Sequence, residues 1–227
     1  MDALQFLLKK ARLSLTRHSV TVADFARITA SSALSSRRKD NMNIMVVGVG
    51  GQGTLLTSRI IGKTALSMGF DVKLSEVHGM AQRGGSVVTF VRYGDKVYEP
   101  VCEEGSVDVL ISFERLEALR YAHFLKKDGV IIVNDARIDP MTVVIGAKTY
   151  PENIIENLSK EHKLYAINGA KIAKELGNSK VLNSVVLGLA AKHIGFTEEQ
   201  WLEVLKATVP PKTVEINEKA FKAGYEG

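Results

Sequence analysis

Two glycine-rich stretches hold the residue types best suited to chemistry in this chain. Gly48, Gly50 and Gly53 form G-x-G-x-x-G, with Gly51 as an extra glycine and Gln52 just before the last. In such a turn the first glycine permits a sharp reversal, the second lets backbone approach a ligand, and the third lets a helix pack closely on a strand. A helix that follows aims its free N–H groups back at the turn and makes a seat for an anion. The second stretch is His78-Gly79-Met80-Ala81-Gln82-Arg83-Gly84-Gly85, with Glu76 shortly before it. Arg83, set beside glycines, can grip a phosphate, a carboxylate or an acid of another chain in bidentate fashion, or pin its own loop to the sheet. His78 is placed either to carry a proton or to hydrogen-bond the loop or another chain. Glu76, near a strand end, could accept a ribose hydroxyl.

These residues need a frame that brings both loops to one edge. Asn43 to Val47 is a short apolar run suited to a strand buried on both faces. Thr54 to Met68 then places Leu55, Ile60 or Ile61, Leu66 and Met68 near one helical face, and Gly69 ends the helix. Phe70 to Val77 reads as the second strand and Ser86 to Tyr93 as the third. Gly94-Asp95 is a turn signal into Lys96 to Val101, so a β-hairpin is expected where a plain doubly wound fold would continue.

Strand and helix alternate beyond it. Asp108 to Phe113 is an apolar strand, and Glu114 to Phe124 a helix with Leu116, Leu119 and Phe124 inward and Glu117 and Arg120 outward. Lys126 to Gly129 should end that helix before a strand at Val130 to Val133. A short strand at Thr142 to Ile145, a helix over Pro151 to Lys160 and a strand at Lys163 to Ile167 follow. From Asn168 the pattern turns helical: Gly169 to Leu176, then Val181 to His193 with Gly188 for close packing. Thr197 and Gln200 make a capping box before a helix carrying Trp201, and a last helix lies around Val214 to Phe221. The expected fold is α/β and Rossmann-like: a mostly parallel sheet with helices on both faces, an inserted β-hairpin and a helical C-terminal part.

Composition excludes several classes. The net charge of +5 comes from residues 1–41, which hold eight Lys/Arg against three acids, so the remainder carries 22 of each sign. No basic footprint for nucleic acid is left, and no run approaches the roughly 18 apolar residues of a membrane span. The five histidines are scattered without metal-ligand spacing, and neither a G-x-S-x-G elbow nor a Walker lysine occurs. Neither a catalytic dyad nor a metal site is therefore expected in this chain. The single cysteine, Cys102, cannot form an internal disulfide, which suits a reducing cytosol, nor hold an iron–sulfur cluster, which takes about four thiolates. It reads as a small apolar filler at a strand end.

GVGGQG at 48–53, SEVHGMAQRGGSVVTFVRYG at 75–94, FERLEALRY at 113–121 and the closing NEKAFKAGYE at 217–226 together resemble the γ-type domain family of 2-oxoacid:acceptor oxidoreductases. Within it they are similar to the smaller subunits of indolepyruvate:ferredoxin oxidoreductases. The resemblance covers about Met42 to Gly227. It implies a cytoplasmic enzyme that oxidatively decarboxylates an arylpyruvate to the acyl-CoA and passes two electrons to ferredoxin. Thiamine diphosphate, magnesium and the iron–sulfur clusters would then reside in a larger catalytic (α) subunit, with coenzyme A as cosubstrate. The two loops of this chain would bind ligand or contact the partner. A γ subunit of a related 2-oxoacid oxidoreductase and a free-standing nucleotide-binding module are the alternatives. A stable brown complex would favour the first two, and a colourless monomer that binds NAD the last. Residues 1–41, rich in Arg, Ser and Thr, have the composition of an organelle transit peptide. The expectation is instead an upstream extension, with translation naturally beginning at Met42; a segment that packs on a partner is the third possibility.

Overall fold

The apolar run Met42–Val49 forms β1, and all but its last residue is buried, as a strand covered on both faces requires. The computed structural model describes residues 41–79 and 84–227. The leader expectation therefore falls, but for Asn41, outside the described residues, and so do Gln82 and Arg83. After β1 come helix α1 (Thr54–Ser67), strands β2 (Asp71–His78), β3 (Ser86–Gly94) and β4 (Val107–Ser112), and helix α2 (Arg115–Tyr121). Strand β5 (Leu125–Asn134), helices α3 (Met141–Val144) and α4 (Ile154–Glu161) and strand β6 (Lys163–Ile167) complete the sheet region. Helices α5 (Gly169–Glu175), α6 (Leu182–Ala191), α7 (Glu198–Thr208) and α8 (Val214–Glu226) follow.

The six strands lie in the order β2-β3-β1-β4-β5-β6. Pairs β1–β4, β4–β5 and β5–β6 are parallel, while β3 runs antiparallel to both β1 and β2. The inserted hairpin thus exists, but its arms are β2 and β3, and β3 returns to lie between β2 and β1. Lys96 to Val101, expected as the second arm, forms no strand. Arg92 Nη1 takes the carbonyls of Glu99 and Val101 at 3.0 and 2.8 Å, and the Val97 N–H goes to Asp71 Oδ2, so side chains occupy groups a ladder would use.

The sheet separates two cores. Ile44, Val46, Val91 and Ile111 face α1 and the C-terminal helices, where Trp201 and Phe221 are fully buried. Met45, Val47, Val88, Phe90 and Ile131 face α2 and α4, together with Ala118, Ile154 and Leu158. Helices α6 and α8 cross at two glycines. A Cβ on Gly188 would stand 2.0 Å from the Phe221 carbonyl oxygen, and one on Gly224 1.9 Å from that of Val185. Thr197 and Gln200 form the expected capping box of α7.

Four local expectations change. Leu66 is exposed while Ile60, Ile61 and Ala65 form the buried stripe of α1. Thr142 to Ile145 is not a strand: the Pro140 carbonyl accepts from both Val143 and Val144 N–H and closes the single turn α3. Lys126 to Gly129 lies inside β5. Glu117 is buried rather than outward, and Leu119, expected inward, is exposed, because α2 is a short helix whose Ala118 side packs on the sheet.

Candidate functional site

The parallel strands β1, β4, β5 and β6 all end at one edge, and polar side chains there tie their ends together. Gln52 reaches back from the glycine turn: its Oε1 accepts the Val49 N–H at 2.7 Å, and its Nε2 donates to the Phe113 carbonyl at 3.0 Å. Asn134, buried at the end of β5, donates Nδ2 to that same carbonyl at 3.0 Å, and its Oδ1 accepts the Gly169 N–H at 3.0 Å. The turn after β1, the end of β4, the end of β5 and the start of α5 thus share one hydrogen-bonded line. Next to it, buried Glu114 caps α2 by accepting the Glu117 N–H. Its other oxygen takes the Ile138 N–H and a short bond from the Tyr150 hydroxyl. Burial and the neighbouring Glu114 carboxylate push the Tyr150 phenol upward, so it stays a donor.

The first glycine motif forms the expected strand–turn–helix. Gly48 is still in β1, opposite Val87, and Gly51 stands exposed at the turn. Gly53 holds φ at +85°, a conformation that favours glycine, and a Cβ there would come 3.2 Å from Asn183. Close approach at this glycine serves a neighbouring helix start, α6, rather than a strand. Gly53 is also the N-cap of α1, and no side chain among the described residues caps that 14-residue helix. Its first N–H groups therefore lack an intrahelical acceptor. Asn183, 6% exposed, lies against the same turn with its Oδ1 buried and unpartnered among the described residues.

The second loop is joined to the first at its trailing end. The Gly50 N–H donates to the Gly85 carbonyl at 2.9 Å, and the Gly84 N–H to the Gly50 carbonyl at 3.5 Å. Gly50 therefore meets backbone of the same chain through both its peptide groups. Ser86, the next residue, donates to buried Glu117 at 2.5 Å. At the leading end His78 closes β2 opposite Val87, with Nδ1 3.2 Å from the Gly79 carbonyl and Nε2 3.9 Å from Glu76 Oε1. Glu76 sits opposite Thr89, and its Oε2 is buried without a partner among the described residues.

Because β3 intervenes, Glu76 is two strands from β1, about 10 Å at the usual strand spacing. A ribose held directly over the turn is beyond it unless the ligand extends across β3. The structure thus brings Gly48 to Gly53 together with Gly84 and Gly85, and sets Glu76, His78 and Gly79 to one side. Asn134, Asn183, Ser86 and Glu117 are the positions sequence reasoning missed. An isolated Asn, Ser or Glu carries no periodic signal that would mark it.

Among the described residues, no group of three His, Cys, Asp or Glu side chains could hold a metal ion, and no helix is long and apolar enough to cross a membrane. Cys102 is buried, and desolvation pushes its thiol up to about 11.

Known proteins resemble this chain in sequence and fold. The family model described as pyruvate ferredoxin/flavodoxin oxidoreductase matches residues 43–227. The indolepyruvate oxidoreductase subunit IorB of Thermococcus kodakarensis is 43% identical over 190 residues, covering 81% of this chain and 94% of that one. That of Archaeoglobus fulgidus is 44% identical over 189 residues, with the same two coverages of 81% and 94%. Among solved structures, the keto/oxoacid ferredoxin oxidoreductase γ subunit from Geobacter sulfurreducens matches with a TM-score of 0.61 at 27% identity. It covers 82% of this chain and 96% of its own. Fold and sequence agree: the chain belongs to the pyruvate ferredoxin/flavodoxin oxidoreductase family.

Proposed function

We propose that the chain is the cluster-free subunit of a cytoplasmic indolepyruvate:ferredoxin oxidoreductase, and that the junction of its two glycine loops seats the phosphate end of coenzyme A. The chain is one subunit of a multi-subunit 2-oxoacid oxidoreductase, and its relatives at 43% and 44% identity are indolepyruvate oxidoreductase subunits. In this reading thiamine diphosphate, magnesium and iron–sulfur clusters, held by the larger subunit, supply decarboxylation and the path of electrons to ferredoxin. This chain contributes binding and orientation.

The observation that carries the ligand assignment is the uncapped start of α1 beside the unpartnered amide oxygen of Asn183, at the point where the loops meet. Unpaired backbone N–H groups at a helix start favour an anion, and an amide can rotate to donate. The Gln52–Phe113–Asn134 line keeps that seat open before ligand arrives, so little ordering is left to do on binding. Arg83, on the same loop as Gly84 and Gly85, supplies the charged contact.

Steady-state kinetics of the assembled enzyme test this reading. Arg83→Ala should raise the KM for coenzyme A about tenfold to hundredfold, the effect of one charge-assisted bond. Asn183→Asp should raise it too, by placing a negative charge at the anion seat, while the KM for the 2-oxo acid holds. Unchanged coenzyme A kinetics in both variants would put the cosubstrate elsewhere.

A further inference from the structure

Ser86 is where the chain leaves the second loop and enters β3, one residue beyond the Gly85 carbonyl that accepts the Gly50 N–H. Its side chain lies on the α2 side of the sheet, opposite to α1, and donates to Glu117 Oε2 at 2.5 Å, with the Tyr121 hydroxyl 3.3 Å away. Glu117 is only 5% exposed, and its other oxygen meets Arg120 Nε at 3.2 Å. Burial raises this carboxyl above its ordinary range, against the lowering effect of Ser86 and Arg120. A buried carboxylate is a costly way to fill space, since an apolar side chain of similar volume packs there at lower cost. What it adds is direction: it holds one hydroxyl at the root of one loop.

We infer that Glu117 is a positioning residue that acts through the Ser86 hydroxyl. It fixes the trailing root of the second glycine loop and thereby sets the Gly50–Gly85 contact that joins the two loops. The helix N-terminus approaches the junction from one sheet face, and Glu117 braces it from the other. The inference rests on the coenzyme A reading only for its effect on the KM for coenzyme A.

Hydrogen exchange by mass spectrometry on the assembled enzyme reads the brace directly, in peptides spanning residues 47–55 and 84–94. Ser86→Ala removes only one oxygen and Glu117→Ala removes the brace, whereas Glu117→Gln keeps an acceptor for the hydroxyl. Exchange around Gly50 should rise about tenfold or more in both alanine variants and stay near wild type in the glutamine variant. The KM for coenzyme A should rise roughly threefold to tenfold with kcat within about twofold, part of the effect of a whole charge-assisted bond. Unchanged exchange at residues 47–55 in Ser86→Ala and Glu117→Ala overturns the inference, as does faster exchange spread evenly over the sheet with an earlier melt. Faster local exchange with an unchanged coenzyme A KM upholds the brace and instead overturns the coenzyme A reading.

Discussion

The carboxyl edge of the sheet and the α6–α8 crossing are both tightly made, but from opposite materials. At the edge, Gln52, Asn134 and Glu114 are polar side chains whose bonds hold backbone in fixed places, and Glu117 holds the Ser86 hydroxyl. At the crossing, Gly188 and Gly224 let two helices approach until each backbone lies on the other, beside Phe221 and Val185. Polar bonds add little net stability but specify geometry, whereas close apolar packing adds stability and specifies little else. The difference separates the part that, in the proposed reading, presents a surface to ligand from the part that keeps the chain folded.

The largest effect should come from the crossing. Gly188→Ala puts a carbon 2.0 Å from a carbonyl oxygen, and two packed helices cannot separate without opening the core around Phe221. We expect about 3 kcal/mol or more of destabilisation, read as a melting temperature lower by roughly 6 to 12 °C. A variant that melts like the parent would mean that the crossing is loose and the contrast with the edge false.

Asn134→Ala should be intermediate and mixed. It removes two hydrogen bonds and leaves the Gly169 N–H without an acceptor, costing about 2 to 4 kcal/mol in a thermal melt. Unlike Gly188→Ala, it should also weaken coenzyme A binding in calorimetry on whatever folds, because the Phe113 carbonyl that anchors Gln52 loses its second donor. A pure loss of stability would place Asn134 with the crossing rather than with the edge.

Cys102 should give the smallest effect. Its thiol, pushed up to about 11, carries only about one part in a thousand of thiolate at pH 8, and it is buried on the α2 face away from both glycine loops. Iodoacetamide should label it at the rate of unfolding, with activity intact until then. Rapid labelling of the native enzyme would show that this core opens.

The sequence carried the fold well where side-chain periodicity is strong. β1, α1, β4, β6 and the capping box of α7 stand as expected, since each rests on local rules: an apolar run, a glycine stop, Thr197 paired with Gln200. It failed where a distant residue decided the outcome. Arg92 takes the carbonyls of Glu99 and Val101, so a good hairpin signal at Gly94-Asp95 yields no second strand. Both glycine motifs were visible, yet their joining at Gly50 and Gly85 depends on β3 folding back beside β1, a pairing that runs from Val49 with Ser86 to Met42 with Tyr93 and that no local window contains. Glu117 was placed outward by helical spacing, which fails here because its carboxylate is buried against the Ser86 hydroxyl.

The return of β3 also decides which length changes the chain can accept. Side chains alternate across a strand, so deleting one residue within Ser86–Gly94 would exchange its two faces, presenting Val88 and Phe90 to the wrong core and turning Ser86 away from Glu117. An insertion between Gly79 and Gly84 leaves that ladder in register, at an entropic cost that grows only slowly with loop length. A change of loop length between these two glycines can accordingly be accepted while every strand keeps its place.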